Sequence, residues 1–332
     1  METYIFIFHF YDIFIVSFTA ENKRKYADTT YAAQEFKSKH IINYFKNVKV
    51  KDITYKMACN FLDSLFIKQN LSTRTVKDIR ALLNSIMNYA VENNIISINP
   101  IKNVSLNKEL SIQHSGKNST DDDFFSFDEA MQFLKAAKGH ELYALFFFTL
   151  FFGLRREEVL GLRWDAIDFK NRNMKINHTV TKGTKINRNN ATKTDSSTRE
   201  YPLNDEQIEM LLKIKRNEER FRNDCGSGYI DNDYIFKHDD GSLYYPDYPT
   251  KAFKKIIERN PDLPQKITFH GLRSSCVSIL VHDGYDIKTI QRWVGHKDFN
   301  TTLKIYAKVK DRESKKEILN GMGNLLHLDF ED

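Results

Sequence analysis

Apolar residues recur every three or four positions between residues 76 and 90, the spacing of one face of an α-helix. Ser72 stands just before this pattern and is a favoured N-cap residue, and polar residues 92–94 end it ahead of Pro100. The pattern therefore predicts an amphipathic helix in an all-α unit. Its apolar positions are Val76, Ile79, Leu83, Ile86, Met87 and Ala90.

The second half of the chain carries several helix signals. Ser126 and Glu129 have the spacing of a capping box, which predicts that a helix begins there. The next stretch, residues 141–152, is apolar on nearly every side and belongs in the centre of a core. Asn204 and Gln207 form another capping pattern, and we expect helices joined by short loops over most of the remaining chain.

Between these helical stretches the chain changes to a strand pattern. Residues 174–180 and 199–203 are short strand-like runs on either side of a polar stretch, residues 181–197. They predict a small sheet with a protruding hairpin. The expected fold class is therefore mainly α with a small antiparallel β-sheet (α+β).

A chain of 332 residues is expected to form about two domains. We assign residues 21–104 to an all-helical domain and residues 124–332 to a second domain ending in a helix or tail. Residues 105–123 lose hydrophobic periodicity and gain Ser, Asn, Lys and Asp, as an interdomain linker does. The apolar stripe near the C-terminus predicts a helix that docks either on its own domain or on a neighbouring protomer.

Residues 1–20 are apolar enough to suggest a signal peptide or a membrane anchor. However, Glu2 stands where a signal peptide has basic residues, and His9 and Asp12 interrupt the run. The stretch only just reaches the ~17 to 25 residues that a membrane span needs. A buried first helix or strand is the favoured interpretation, with a membrane anchor as the alternative.

Composition narrows the class of protein. With 41% hydrophobic and 28% charged residues, the chain is globular rather than disordered or collagen-like. Its three cysteines have neither a disulfide nor a zinc-ligand spacing, which fits a reducing cytoplasm and predicts no metal site. The net charge of +6 slightly favours a polyanionic partner. Residues 21–56 hold nine basic and four acidic side chains, and aromatic residues lie between the bases, as in helices with a cationic outer face.

The candidate chemistry is a scattered set of polar residues. Arg155 and Glu158 share a helix face, as do His270 and Arg273. Taken singly, each has an ordinary structural explanation, such as a surface ion pair or a hydrogen-bonding histidine. The others are Lys193 in the hairpin loop, His296 after Gly295, and Tyr306 on a helix that Asn300 or Thr301 is expected to cap.

In order and spacing, this set resembles the tyrosine recombinase, or phage integrase, family. The family pattern is Arg in G-L-R-x-x-E, Lys in a β-hairpin, H-x-x-R, G-H, and Tyr about ten residues later. The likeness covers roughly residues 26–309. The first half looks like the core-type DNA-binding domain of integrases from phages and conjugative elements, and the second half looks like the catalytic domain. The matching residues are Arg155, Lys193, His270, Arg273, His296 and Tyr306.

The resemblance implies a site-specific recombinase that integrates and excises a phage or mobile element. Tyr306 would attack the scissile phosphodiester, giving a 3′-phosphotyrosine and a free 5′-hydroxyl. Arg155 and Arg273 would hold the non-bridging oxygens, since guanidinium groups bind phosphate bidentately. The bond energy is kept in the phosphotyrosine, so no cofactor and no metal is implied.

The remaining roles also follow from the resemblance. A free tyrosine has a pKa of about 10, so the nucleophile needs a base or cationic surroundings, and His270 is the acid/base candidate. Lys193 would protonate the departing 5′-oxygen, and His296 would hydrogen-bond a phosphate oxygen. Glu158 would orient His270 or Arg155 rather than react.

The implied partner is double-stranded DNA at paired recombination sites, held by a homo-tetramer that forms from monomers on DNA. The implied location is the cytoplasm, at the nucleoid, with host or element accessory factors that bend DNA or promote excision. Basic residues of the first domain are the DNA-contact candidates. They are Lys23, Arg24, Lys25, Lys37, Lys39, Arg74, Lys77 and Arg80.

Four other functions compete with this interpretation. A chromosome-dimer resolution recombinase or a type IB topoisomerase would use the same chemistry. An inactive DNA-binding protein is disfavoured, because all six chemical positions hold the expected residue. A membrane protein is the remaining alternative.

Overall fold

The structure is a computed structural model that describes residues 28–46, 48–115, 124–182, 186–189 and 199–323. The chain divides into two compact units, one formed mainly by residues up to Ser119 and the other mainly by residues from Thr120 onward. The apolar segment 1–20, with its predicted helix or strand, lies outside the described residues. No helix in the described part of the chain is long and apolar enough to cross a membrane.

The first unit consists of helices, as predicted. Its longest helix begins after Ser72, whose hydroxyl accepts a hydrogen bond from the Thr75 backbone N–H at 3.3 Å. All the predicted apolar positions of this helix are buried. The helices are α1 (Asp28–Phe45), α2 (Tyr55–Ile67), α3 (Thr73–Glu92) and α4 (Lys108–Gln113).

The predicted linker begins with α4, a short helix that sequence reasoning missed. The side chain of Asn107 caps it by accepting hydrogen bonds from two backbone N–H groups. Leu106 and Leu110 pack against the core of the first unit, and the Thr73 N–H donates to the His114 carbonyl at 3.0 Å. Part of the predicted linker, residues 108–113, is therefore helical, because two leucines and a cap are enough to form a short docked helix.

The second unit is mainly helical with two small sheets, which confirms the predicted fold class. Its first helix begins at the predicted capping box of Ser126 and Glu129, and α8 begins at that of Asn204 and Gln207. The helices are α5 (Phe127–Ala137), α6 (Tyr143–Phe152), α7 (Arg156–Val159), α8 (Asp205–Cys225), α9 (Tyr248–Arg259), α10 (Phe269–His282), α11 (Ile287–Val294) and α12 (Phe299–Gly323). The strands are β1 (Ile167–Asp168), β2 (Asn173–Ile176), β3 (Thr179–Lys182), β4 (Ile186–Asn189) and β5 (Arg199–Pro202).

The predicted run 174–180 forms parts of β2 and β3, and the run 199–203 contains β5, whereas β1 and β4 lie outside the predicted runs. Strand β2 is central in a three-stranded antiparallel sheet of order β1-β2-β5, and β3 pairs with β4. Met174 lies opposite Tyr201, and Ile176 lies opposite Arg199. Strand side chains alternate between faces, so Arg199 and Tyr201 point to the same side, and both are buried.

Helix α6 is the apolar centre of the second unit, as predicted. Phe146, Phe148 and Phe152 have no exposed surface. Gly153 ends this helix with a φ of +61°, a left-handed conformation that glycine adopts without strain. Helix α10 packs against α6, α11 and α12, so the segments that carry the candidate residues lie around one core.

The cap predicted for the last helix is wrong by two or three residues. Helix α12 begins at Phe299, and the Asp298 carboxylate accepts a hydrogen bond from the Asn300 backbone N–H at 3.0 Å. Asp298, Asn300 and Thr301 all favour cap positions, and the earliest of them is used. The first turn of α12 therefore includes both of the residues that the sequence suggested as caps.

Candidate active site

Arg155 lies at the N-cap position of α7, immediately after the left-handed turn at Gly153. Its backbone N–H donates to Glu158 Oε2 at 2.8 Å, and its Nη1 donates to Glu158 Oε1 at 2.6 Å. Its Nη2 donates to the Gly295 carbonyl at 3.0 Å. About a third of the side chain, 34%, is exposed, so this guanidinium is accessible to a ligand.

Arg273 lies in the first turns of α10 and is buried, with 2% of its side chain exposed. Its Nη1 donates to the Gly153 carbonyl at 2.5 Å, and its Nη2 donates to the Gly295 carbonyl at 3.4 Å. Burial and the positive charge of Arg155 lower the pKa of Arg273 to about 9, which leaves it charged at neutral pH. The carbonyl oxygen of Gly295 thus accepts hydrogen bonds from both guanidinium groups.

Gly295 ends α11 with a φ of +67°, in the left-handed conformation. A Cβ atom at this position would lie 2.6 Å from Arg199 Nη1 and 2.7 Å from Arg199 Cδ. Both the backbone conformation and the close contact therefore require glycine.

His296 is partly buried, and both of its ring nitrogens have partners. Arg273 Nε donates to Nε2 at 3.1 Å, so the ring proton is assigned to Nδ1, which lies 2.9 Å from Thr302 Oγ1. Partial burial and the positive charges of Arg273 and Arg155 lower the pKa of His296 to about 3. The ring is therefore neutral at physiological pH.

His270 precedes Arg273 by three residues on α10, and its side chain is exposed. The surrounding protein, together with the positive charges of Arg273 and Arg155, lowers its pKa below the ordinary value of 6.5. His270 is thus neutral at pH 7 and able to accept a proton.

Tyr306 lies on α12, one turn beyond Thr302. Its half-buried ring packs against an apolar cluster that includes Cys276, Val294 and Val309. The buried Thr302 hydroxyl links the start of this helix to His296. The helix that carries the tyrosine is therefore attached to the histidine and arginine cluster.

Glu158 is buried and lies between three arginines. The sequence suggested that Glu158 orients His270 or Arg155, and in the structure Glu158 is hydrogen-bonded to Arg155. Arg199 Nη2 donates to Oε2 at 2.9 Å, and Arg273 Nη1 lies 3.9 Å from Oε2. Burial alone would raise the pKa of Glu158, but the hydrogen bonds and charges of Arg199 and Arg155 lower it to about 2.

Arg199 is the site residue that sequence reasoning did not single out. It is the first residue of β5 and pairs with Glu158 deep behind Arg155. The alternation of Arg199 and Tyr201 in a strand-like run was the available signal, because it places an arginine on the same face as a core tyrosine. A buried arginine needs an anionic partner.

The structure brings together four of the six predicted catalytic residues, Arg155, His270, Arg273 and His296, and attaches the helix of Tyr306 to them. Lys193 lies outside the described residues. No group of three or more His, Cys, Asp or Glu in the described part of the chain could hold a metal ion.

The predicted DNA-contact residues differ in their surroundings. Lys39 and Lys77 are exposed on α1 and α3. Lys37 and Arg74 both lie near Asp78, at 3.0 and 3.6 Å. The remaining described candidate, Arg80, donates to the backbone carbonyls of Val104 and Lys102 and so supports the end of the first unit. Lys23, Arg24 and Lys25 lie outside the described residues.

Comparison with known proteins assigns this fold and site to a family. The model of the phage integrase family matches residues 123–313, and that of the phage integrase SAM-like domain matches residues 10–108. The chain belongs to the phage integrase family. It is a tyrosine recombinase of the integrase type, an enzyme that cleaves and rejoins DNA strands.

Two bacterial relatives support this assignment. A tyrosine recombinase XerC-like protein of Caldanaerobacter subterraneus subsp. tengcongensis is 29% identical over 85% of this chain and 76% of its own length. The ICEBs1 integrase of Bacillus subtilis is 27% identical over 87% of this chain and 76% of its own length.

Solved structures share the fold. The Tn1549 transposon integrase, in complex with a circular intermediate DNA, matches with a TM-score of 0.68 and 17% identity over 90% of this chain and 97% of its own. A lambda integrase tetramer bound to a Holliday junction matches with a TM-score of 0.66 and 16% identity over 88% of this chain and 76% of its own.

Proposed function

We propose that the cluster around Gly295 binds the scissile phosphate of a recombination site and that Tyr306 attacks it. The observation that carries the proposal is the convergence of two guanidinium groups on one carbonyl oxygen, with two neutral histidines beside them. Positive charge held at fixed positions is what a phosphoryl-transfer transition state requires, since negative charge spreads over the equatorial oxygens.

The two arginines differ in how accessible they are to the phosphate. Arg155 is the more accessible guanidinium and meets the phosphate first, whereas Arg273 lies behind it and is held by three protein acceptors. Each guanidinium keeps N–H groups beyond those it uses inside the protein. The pair therefore grips the non-bridging oxygens from two sides.

The two histidines have different roles. His270 is exposed and neutral, so it accepts the phenol proton as Tyr306 attacks. The sequence suggested that His296 hydrogen-bonds a phosphate oxygen, but Arg273 and Thr302 already use both of its ring nitrogens. We therefore assign His296 to holding Arg273 in place, and through it the phosphate.

The reaction conserves the phosphodiester energy. The Tyr306 oxygen forms a bond to the 3′-phosphate while the bond to the 5′-oxygen breaks, and that oxygen takes a proton from Lys193. A 5′-hydroxyl of a partner strand later attacks the phosphotyrosine and restores the tyrosine. Neither step needs a nucleotide or a redox cofactor.

The proposed assembly is a homo-tetramer on two duplex sites, formed from monomers on DNA. One relative of the same fold has been solved as a tetramer on a Holliday junction, which supports this proposal. Lys39 and Lys77, with Lys37 and Arg74, supply the phosphate contacts of the first unit. The site of action would be the nucleoid in the cytoplasm, and accessory DNA-bending and excision factors remain a prediction.

The test is covalent trapping on a suicide DNA substrate that loses its 5′-hydroxyl strand after cleavage. We expect the wild-type protein to form an adduct that is stable to denaturation. Tyr306→Phe should abolish the adduct and still bind DNA, because it removes only the nucleophilic oxygen. An adduct of unchanged yield with Tyr306→Phe would contradict the proposal.

The relatives favour a mobile element as the substrate over a chromosome-dimer site. They include the ICEBs1 integrase and the Tn916 transposase. Chromosome-dimer resolution is the second candidate function, because the XerC-like protein is also a relative. The test is recombination of the DNA that flanks the gene. Exchange between the joined element ends and a chromosomal site supports integration, whereas activity confined to a site near the replication terminus supports dimer resolution.

A further inference from the structure

The ion network behind the two arginines extends beyond the residues of the proposed reaction. Arg199 has 7% of its side chain exposed and pairs with Glu158 through both ends of its guanidinium, at 2.9 and 3.2 Å. A bidentate pair fixes the position and the plane of the carboxylate. The same carboxylate contacts Arg155 at 2.6 Å and lies 3.9 Å from Arg273, so its placement determines where both guanidinium groups lie.

Tyr201 extends the network to the backbone. Arg199 Nε donates to the Tyr201 hydroxyl at 2.8 Å, and this hydroxyl lies within hydrogen-bonding distance of the carbonyls of Phe152 and Trp293. Phe152 ends α6 just before the first arginine segment, and Trp293 lies in α11 just before Gly295. Strand β5 is thus joined to both chain segments that lead into the active site.

Direct packing adds a third connection. Gly295 leaves no room for a Cβ atom because the Arg199 side chain lies against it. The carbonyl of the same glycine accepts from Arg155 and Arg273. A shift of Arg199 would therefore move both the carboxylate and the carbonyl that hold the two guanidinium groups.

We propose that Arg199 is a positioning residue for strand cleavage, which holds Arg155, Arg273 and the Gly295 turn in the geometry that binds the scissile phosphate. The inference rests on the proposed function, because positioning is measured through cleavage. Lysine cannot replace Arg199, since a single ammonium group cannot bind the carboxylate bidentately and the tyrosine hydroxyl at once.

Chain order gives the network a further consequence. Lys193 precedes β5 in the sequence, and β5 begins at Arg199. The network therefore also anchors the strand that follows the proposed proton donor.

The experiment compares single-turnover cleavage of a suicide substrate by the full-length wild type, Arg199→Lys and Arg199→Met. The matched control is Lys237→Met, which breaks another buried ion pair of the same unit, with Glu218 at 2.7 Å, away from the site. Removing one member of a buried pair destabilises the protein in either case. Melting temperatures and DNA dissociation constants are measured for every variant.

We expect Arg199→Lys to lower the cleavage rate at saturating DNA about 10- to 100-fold, with a dissociation constant changed less than about twofold. The Lys237→Met control should melt at a lower temperature and yet cleave within about twofold of wild type when folded. A purely structural role for Arg199 would give the two variants the same behaviour.

A pH profile supplies a second readout. The charged and titratable groups that face Glu158 are Arg155 on its own helix, Arg199 and Tyr201 on β5, and Arg273 on α10. Without Arg199, the pKa of the buried carboxyl rises, and protonation removes the negative charge that pairs with Arg155. Arg199→Met should therefore lose cleavage as the pH falls from 7 towards 5.5 more steeply than wild type does.

The outcomes separate this inference from the proposed function. If wild type forms no covalent adduct, the proposed function fails. If wild type cleaves and folded Arg199→Lys and Arg199→Met cleave at the wild-type rate with the wild-type pH profile, the positioning role alone is overturned. A fall in the rate that is matched by Lys237→Met also overturns it.

Discussion

At the residue scale, the ring of His296 shows how neighbours decide the chemistry of a side chain. A donor on one nitrogen, Arg273 Nε, forces the proton onto the other, which faces Thr302. The low pKa, which follows from partial burial and from two nearby guanidinium groups, keeps the ring neutral. A histidine in this state orients Arg273 without adding charge to the site.

Replacing Thr302 tests this arrangement. Thr302→Val removes the partner of His296 Nδ1 and keeps the shape of the side chain, so we expect cleavage to fall about 10-fold with DNA affinity unchanged. Thr302→Ser should restore most of the rate, since it returns the hydroxyl.

The measurement is the single-turnover rate of adduct formation. Thr301→Val, a change at the exposed neighbour in the same turn, is the control and should leave the rate unaltered. Equal rates for Thr302→Val and Thr301→Val would rule out the link between the ring and the helix.

At this scale the sequence was most informative where residues belong to an ordered motif. Arg155, His270, Arg273 and His296 were predicted as one set, and the structure brings them together. Arg199 was not predicted, because strand alternation could place it on the same face as Tyr201 but could not show that its partner is a carboxylate from a distant helix.

At the scale of elements, the helix starts were the most predictable features. Ser72, Ser126 and Asn204 each cap a helix as predicted, because a cap is a bond between residues two or three apart. The start of α12 was misplaced because several cap-forming residues follow one another. Helix α4 was missed because six residues are too few for a periodic signal.

Two glycines end helices at the site, and one of them gives a test. Gly295→Ala introduces both a strained φ and a Cβ that would overlap Arg199, so we expect a loss of stability greater than about 1 kcal/mol and reduced cleavage. Gly139→Ala is the control, since Gly139 also has a positive φ of +88° but has no atoms within 4 Å of its would-be Cβ.

Thermal melting and adduct formation measure both changes. Gly139→Ala should lose only the stability that a strained backbone conformation costs, and it should cleave DNA at the wild-type rate. A cleavage rate for Gly295→Ala equal to that of Gly139→Ala would show that the packing of Arg199 on the turn is dispensable.

At the scale of the whole molecule, local sequence patterns predict which helices and strands each unit contains. They do not predict that distant segments of the chain meet at one site. The α+β class, the apolar α6 and the small sheet all follow from periodicity. The bond from Arg155 to the Gly295 carbonyl joins residues 140 positions apart, and it depends on how α10 packs on α6 and how α11 packs on α10. Only the family resemblance predicted that these segments meet.

Stability of the second unit should fall in acid. His296 has a folded pKa of about 3, and Glu158 of about 2, both below their unfolded values of about 6.5 and 4.3. The unfolded chain therefore binds more protons below pH 6.5, and the free energy of unfolding decreases as the pH falls through that window. One such histidine contributes up to about 1.4 kcal/mol per pH unit.

Urea unfolding at pH 7, 6 and 5, followed by tryptophan fluorescence, measures this dependence, since both tryptophans, Trp164 and Trp293, lie in the second unit. His296→Gln should flatten the pH dependence, whereas His282→Gln, at an exposed position, should not. Parallel pH curves for wild type and His296→Gln would contradict the assignment.

The attachment point of DNA on the protein tests the catalytic assignment most directly. Trapped adduct from the wild-type protein is digested with nuclease and trypsin, and the modified peptide is sequenced by mass spectrometry. We predict a nucleotide joined through its 3′-phosphate to the phenol oxygen of Tyr306, in the tryptic peptide of residues 305–308. A nucleotide on any other residue, or one joined through its 5′-phosphate, would contradict it.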